Sequence, residues 1–312
     1  MKTDDIKRVL IIGSGTMGRH IGLQHALYGY EVVFYDIDEE VLQVATTHIG
    51  KIAGRLLQNG FISEEMHANV KRLITATTDP QEASKGVQLV SESVPENIAL
   101  KQKVWSLFDQ YLPAEAILTT NTSTLVASMF AEASGRSERF LAWHFHLPVF
   151  TANVVDVMPH AGTDPEVTQV MMEHSKKIAQ IPIDIRIEWP HYVYNELLTA
   201  LQGAALRLAV NNVASVEDID RAWMAIMGTR IGPFGIMDSV GLDTNYHITA
   251  QDWELHPDTP YLQEIVQFLK AKVDANELGR KTGQGFYSYP HPAYEQSEFL
   301  ERVKPKYKKY KK

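Results

Sequence analysis

Two histidines and a carboxylate stand where a buried strand would ordinarily carry valine or isoleucine. His144, His146 and Asp156 lie in "FLAWHFHLPVFTANVVDVMPH", residues 140–160. A histidine, with an ordinary pKa of about 6.5, can take or give a proton near neutral pH. It serves as a general acid/base when one tautomer is fixed, commonly by a carboxylate on its other ring nitrogen. His144 and Asp156 would face each other if the strands flanking "LPVFTA" are antiparallel neighbours. His146 shares the strand face of His144, so periodicity alone does not choose between them. An imidazole in an apolar strand is also compatible with a hydrogen-bonded core residue, and this segment by itself leaves both readings open.

A second cluster is more specific. In "VLIIGSGTMGRHIG" the glycines Gly13, Gly15 and Gly18 stand between an apolar strand and a helix, and "EVVFYD" ends on Asp36 about 20 residues later. This is the context a dinucleotide-binding G-x-G-x-x-G requires. Gly13 permits the tight turn, Gly15 lets backbone approach a pyrophosphate, and Gly18 allows close helix–strand packing. The segment Gly13–Ser14–Gly15–Thr16–Met17–Gly18 would present unsatisfied N–H groups and a positive dipole end to the anion. Asp36 would accept hydrogen bonds from the adenosine ribose and repel a 2′-phosphate, so NAD is expected rather than NADP. A nicotinamide site that oxidises an alcohol needs a base for the hydroxyl proton, which a histidine supplies.

The elements that must position these groups follow from the pattern. The runs "RVLIIG", "EVVFYD", "VQLVSES", "AILTTNTS", "FLAWHFH", "NVVDVM" and "IPIDIRI" read as strands. Helical stretches alternate with them, including "DPEVTQVMMEHSKKIAQ", which opens on a capping Asp. The expected fold is therefore α/β: a Rossmann-type, doubly wound, mostly parallel sheet over residues 1–187. After Pro190 the texture turns helical, with "HYVYNELLTALQGAALRLAVNNV" apolar on most turns and "SVEDIDRAWMAIMG" opening on a capping Ser. A second, all-helical domain is expected over 188–300. Because so apolar a helix needs burial on more than one face, a homodimer through it is expected. The basic run "KPKYKKYKK" reads as a solvated, disordered tail within 301–312.

Composition narrows the class. The 312 residues carry a formal net charge of −8 and no cysteine. The charge disfavours a nucleic-acid surface, and the lack of thiols excludes disulfides and thiolate metal sites. No metal is expected. No apolar run approaches the length of a membrane span, and the charged N-terminus leads straight into a strand, so a cytoplasmic protein without a signal peptide is expected.

Several motifs occur together in one order: the glycine turn, "ESVPENIALKQKVW", "TTNTSTL", "LAWHFHLP", "VVDVM", "YVYNELL", "GPFGIMDSVGLD" and "GRKTGQGFYSY". In this the chain resembles the 3-hydroxyacyl-CoA dehydrogenase family over nearly its whole length. It is also similar to the family's diketoreductase, carnitine dehydrogenase and gulonate dehydrogenase (λ-crystallin) relatives. The resemblance implies a two-domain dimer with the substrate between the domains, and NAD-dependent interconversion of a 3-hydroxyacyl compound, foremost an acyl-CoA, with its 3-oxo form. It implies that His144 is the general acid/base, that Asp156 stands where the family has an orienting glutamate, and that Ser123 and Asn195 hold substrate oxygens. It also implies that Glu96, Lys101 and Ser123 lie along the nicotinamide half of the cofactor site, and that Lys281 reaches back to the cofactor. Each has a plainer reading beside it: Ser123 as a helix cap, Asn195 as a polar residue of a first turn, Glu96 and Lys101 as surface charges, and Lys281 as a loop charge. A dinucleotide-binding protein without catalysis is the alternative from another class; a non-CoA hydroxy acid or β-diketo ester is the alternative substrate.

The chain departs from the family pattern at four places. Asp156 is one methylene shorter than the family's glutamate, which predicts a hydrogen bond to His144 beyond about 3.2 Å and a gain or no change on Asp156→Glu. His146 and Leu147 replace a phenylalanine and an asparagine, and His146 is expected to bring a polar group toward cofactor or substrate. His191 and Tyr192 follow Pro190 where the family usually has a glycine, and would re-line the mouth of the cleft. In "HIGKIAGRLLQNG" only Lys51 and Arg55 are offered to a coenzyme A tail, at uncertain register.

Overall fold

The computed structural model describes residues Met1–Leu300; the basic run at 304–312 lies outside them. One sheet carries eight strands, β1 (Arg8–Ile12), β2 (Glu31–Tyr35), β3 (Ile74–Thr77), β4 (Leu89–Glu92), β5 (Ile117–Thr120), β6 (Phe140–Phe145), β7 (Val154–Pro159) and β8 (Ile181–Asp184). Their order is β3-β2-β1-β4-β5-β6-β7-β8, and every neighbouring pair is parallel except β6 and β7. This is the Rossmann-type, mostly parallel sheet expected. Strand β3, "ITAT", was not anticipated: it is four residues long, its central pair is exposed, and its sole strand neighbour is β2, so it carries almost no apolar signal.

Both faces of the sheet are covered, which is why its strands read as continuous apolar runs rather than as alternation. Val9 and Ile11 of β1 pack into one core with helices α1 (Thr16–Leu27), α2 (Glu39–Gln58) and α3 (Glu64–Leu73). Leu10 and Ile12 face the opposite core, shared with α4 (Pro80–Ala83), α5 (Ile98–Asp109) and α6 (Ser128–Ala131). Helix α7 (Pro165–Lys177) joins the first core through Val167, Val170 and Met171. It starts where Asp164 accepts the Glu166 N–H at 2.8 Å with Pro165 at the first helical position, as the sequence predicts.

The chain divides into two compact units, Met1–Tyr194 and the part from Asn195 onward. The division falls just inside helix α8 (Tyr192–Val210). The second unit continues with α9 (Val216–Met227), α10 (Pro233–Val240), α11 (Leu242–Leu255) and α12 (Leu262–Asp274) around a core that includes Phe234, Met237, Leu242 and Leu269. Two buried carboxylates organise it. Asp220 accepts the Phe234 and Gly235 N–H groups at the start of α10 and the Tyr287 hydroxyl. Asp238 accepts the Phe286 and Tyr287 N–H groups and the Tyr289 hydroxyl. The motifs "GPFGIMDSVGLD" and "GQGFYSY" are thus two halves of one structural lock. No helix among the described residues is long and apolar enough to cross a membrane.

Candidate active site

The connection between β6 and β7, residues 146–153, is too short for a parallel crossover, so the two strands run antiparallel. Their register sets His144 directly opposite Asp156. The His144 Nδ1 lies 3.0 Å from Asp156 Oδ2, with His144 4% and Asp156 0% exposed. The lengthened bond expected of the shorter carboxylate is not found. Residues directly opposite across an antiparallel pair hold their Cβ atoms about 4.5–5.5 Å apart, a gap that an aspartate bridges. His146 also turns to this carboxylate rather than away: its Nε2 lies 2.8 Å from the same Oδ2.

The protonation states follow from burial and bonding. Burial would raise the Asp156 carboxyl, but the hydrogen bonds from His144 and His146 outweigh it and hold it below the ordinary range. Burial pushes the His144 imidazole below its ordinary value, only partly opposed by the Asp156 hydrogen bond. A neutral imidazole beside an ionised carboxylate donates from Nδ1, because the carboxylate only accepts. The Nε2 lone pair of His144 is then the basic site.

Tyr192 forms the wall against which His144 rests. Its ring stacks on the imidazole at 4.6 Å between centroids, and its hydroxyl donates to the Leu125 carbonyl at 3.4 Å. Tyr194 meets His146 edge-on at 5.2 Å. Both His191 and Tyr192 adopt positive φ, 66° and 60°, a conformation that costs a non-glycine residue about 1–2 kcal/mol. Burial of Tyr192 at 1% exposure offsets that cost.

The loop after β5 carries Ser123, which is exposed and does not cap the following helix, since the N-cap of α6 is Ala127. Glu96 fixes this loop from across the site. Its Oε1 accepts the Ser123 N–H at 2.9 Å, the Thr124 N–H at 3.0 Å and the Thr122 hydroxyl. Burial would raise the Glu96 carboxyl, but the Thr122 hydroxyl, the Lys101 ammonium and these N–H groups together hold it low. Lys101 is 1% exposed, and its Nζ lies 2.7 Å from buried Glu92 and 3.5 Å from Glu96. It acts on the loop through Glu96 rather than from the surface. The buried Glu92 anchor was not anticipated; nor was Asn121, whose Oδ1 accepts the Phe145 N–H at 2.8 Å and ties the end of β5 to β6. The polar run "TTNTST" at a strand end is the signal that could have marked Asn121.

The glycine turn lies at the same carboxyl edge of the sheet and fits a dinucleotide. Gly13 has φ 93°, and a Cβ there would meet the Ser93 carbonyl oxygen at 2.8 Å. A Cβ on Gly18 would meet the Gly13 oxygen at 1.9 Å, whereas at Gly15 nothing lies within 4 Å. Packing therefore requires Gly13 and Gly18, while Gly15, the side-chain-free N-cap of α1, leaves its approach open. Asp36 Oδ2 accepts from the Ser14 N–H at 2.9 Å and hydroxyl at 2.7 Å, fixing the turn. Its carboxylate retains lone pairs for ribose hydroxyls.

Beside this turn, between α1 and α2, is a cavity of about 710 Å³ lined by Arg19, His20, His48, Lys51, Ile52, Gly54, Arg55 and Gln58. His48, Lys51 and Arg55 share one helix face by their spacing, and Arg19 Nη1 lies 2.7 Å from His48 Nδ1. Lys51 and Arg55, the two basic residues foreseen, thus line one cavity together with Arg19 and His48. In the second unit, Asn195 is partly buried in the first turn of α8, and the Lys281 ammonium pairs with Asp243.

Residues 8–188 match the family model for the 3-hydroxyacyl-CoA dehydrogenase NAD binding domain, and residues 192–289 match the C-terminal domain of the same family. The mitochondrial hydroxyacyl-coenzyme A dehydrogenase of Mus musculus is 30% identical over 289 residues, 91% of each chain. A diketoreductase structure, described as catalysing reactions of dicarbonyl compounds, is 35% identical with a TM-score of 0.84, over 91% of this chain and 99% of that one. The (S)-3-hydroxybutyryl-CoA dehydrogenase of Ralstonia eutropha is 27% identical with a TM-score of 0.81, over 92% and 100%.

Proposed function

Because the chain belongs to the 3-hydroxyacyl-CoA dehydrogenase family over both of its domains, we propose that it interconverts a 3-hydroxyacyl-CoA and its 3-oxo form with NAD, using His144 as general acid/base. The observation that carries the residue assignment is the buried His144–Asp156 pair at 3.0 Å, at the same sheet edge as the glycine turn. Bound NAD would supply the acceptor for the hydride that leaves the substrate's C3. Gly13–Gly18 and Asp36 would hold its pyrophosphate and ribose, with Glu96 and Ser123 shaping the nicotinamide side. As the C3–O bond gains double-bond character, His144 Nε2 accepts the hydroxyl proton, and Asp156 stabilises the imidazolium that results. In the reductive direction His144 and the Ser123 hydroxyl donate to the 3-oxygen, where negative charge develops. Asn195 is assigned to the substrate carbonyl and Lys281 to the cofactor by family resemblance.

The acyl-CoA class is supported by the cavity to which Arg19, Lys51 and Arg55 bring positive charge, which suits a polyanionic tail. A smaller β-dicarbonyl substrate is the second reading, favoured by the diketoreductase likeness and by His146 and Leu147 in the altered "HFHLP" segment. NADH oxidation measured with acetoacetyl-CoA and with ethyl acetoacetate separates the two. The CoA reading expects Lys51→Glu with Arg55→Glu to raise KM for acetoacetyl-CoA roughly tenfold or more, about 1.4 kcal/mol, with the ester unaffected. Equal effects on both, or turnover of the ester alone, would transfer the assignment to the second reading. His144→Ala should lower kcat by about 10²–10⁴-fold on whichever substrate turns over; undiminished turnover would remove His144 from its role.

Homodimerisation through the second unit and a cytoplasmic location belong to the same proposal. Apolar side chains exposed on that unit, such as Leu197 at 67%, Ile226 at 82% and Leu255 at 69%, support the dimer. Cell fractionation tests the location.

A further inference from the structure

We propose that His146 is a positioning residue for the reaction: its Nε2–H fixes the Asp156 carboxylate, so that the orienting carboxylate is held by two imidazoles and serves His144 in a shared hydrogen bond. This rests on the reading of His144 as acid/base. Three observations carry it. Asp156 Oδ2 lies 3.0 Å from His144 Nδ1 and 2.8 Å from His146 Nε2, so one oxygen faces both rings. Asp156 Oδ1 is buried and has no hydrogen-bond partner among the described residues, so the two histidines supply the side-chain contacts that set the carboxylate's rotation. His146 is itself held, edge-on to the His144 ring at 4.5 Å and edge-on to Tyr194 at 5.2 Å.

A carboxylate with one donor can rotate about its Cβ–Cγ bond and present either oxygen. With two N–H donors converging on Oδ2, that rotation breaks both bonds at once. A charge-assisted bond is stronger than a neutral one, so the second donor fixes the first. His146 does this without competing for substrate protons, because its Nε2–H is committed to an anion. It also divides the negative charge between two rings, which weakens the pull of Asp156 on a proton at His144. The groups facing His144 are Asp156, His146, the Tyr192 ring and, at longer range, Glu96. His146 is the one among them that acts through Asp156 as well as directly on His144, and both actions disfavour the imidazolium.

The geometry reverses the expectation for the longer carboxylate. Between two rings at 3.0 and 2.8 Å there is no room for another methylene, so Asp156→Glu alone should lower activity, and it should recover when His146→Phe vacates the space.

The test compares His146→Phe and His146→Gln in the full-length enzyme. Glutamine keeps an N–H donor near the position of Nε2. His146→Phe is expected to lower kcat about tenfold with KM within twofold, and to move the acid limb of kcat/KM for alcohol oxidation to higher pH, since Asp156 then serves His144 alone. His146→Gln should restore kcat and bring the limb back toward the original enzyme. An NMR titration of the His144 ring in each protein reads the same shift without turnover. Thermal melts establish that both variants are folded. An unchanged limb and kcat in His146→Phe would overturn the proposal, as would His146→Gln impaired equally with His146→Phe, which would mean a packing role. Loss of activity on exhaustive chelation would also overturn it, because the His144, His146 and Asp156 ligand atoms lie within 4.8 Å of one another and could then be clasping a metal ion. Undiminished turnover by His144→Ala would instead sink the underlying assignment of His144, a distinct result.

Discussion

At the scale of single residues, chemistry depends on which atom meets which. The sequence made His144 and Asp156 candidates because polar groups in an apolar strand demand a reason; periodicity left His144 and His146 equivalent, and family resemblance pointed to His144. Register distinguishes them where periodicity does not: both histidines meet Asp156, but only His144 is set directly opposite it and stacked on the Tyr192 ring. Glu96 shows the opposite case, a residue whose importance lies in four acceptances at a loop that sequence could not bring near it. Glu96→Ala should therefore lower kcat about tenfold or more by loosening the Ser123 loop, with NAD affinity changed less, as read by single-turnover kinetics and cofactor titration. Glu96→Ala turning over like the original enzyme would show that the loop is held by other means. Because burial depresses His144, the base form should persist below pH 6.5. Rates of alcohol oxidation should rise with pH and reach their plateau at or below neutral pH.

At the scale of elements, what was legible was periodicity and what was hidden was pairing across the sheet faces. Seven strands and the caps of α7 and α9 can be read from the chain, whereas β3 is too short and exposed to announce itself. Equally hidden was a pair of buried histidines joining α1 to α7. His25 donates Nδ1–H to the Ile21 carbonyl at 2.8 Å, so its Nε2 accepts from His174 Nε2 at 3.1 Å. Burial lowers both, His25 to about 4. Above pH 6.5 these rings are neutral in the folded and unfolded chain alike. Between 6.5 and about 4 the unfolded chain's His25 binds a proton that the fold refuses, so stability falls as pH falls, by up to about 1.4 kcal/mol per pH unit, and the lowered His174 acts in the same sense. Denaturant melts of His174→Phe, compared with the original enzyme across this window, should show a shallower acid decline; parallel curves would refute the assignment. His191→Gly should relieve its positive φ and raise stability by about 1 kcal/mol, measurable as a higher Tm; an unchanged or lower Tm would show that the strain is not limiting.

At the scale of the whole molecule, family membership was legible because short motifs occur in one order along the entire chain, a signal no single motif carries. Substrate choice was not, and the cavity proposed for an acyl-CoA tail draws Arg19 from a different helix than Lys51 and Arg55, a juxtaposition that spacing along the chain does not reveal. Sedimentation equilibrium should show a dimer, and Leu197→Glu should weaken it, placing a charge on the exposed apolar side of α8. A monomer in both would remove the dimer from the account. We hold that His144, held by Asp156, carries the proton, and the pH profile of kcat/KM for oxidation of 3-hydroxybutyryl-CoA reads that transfer. Asp156→Asn should lower kcat/KM at least tenfold and move the acid limb to lower pH, because the imidazolium loses its anion. Superimposable profiles for Asp156→Asn and the original enzyme would contradict the claim.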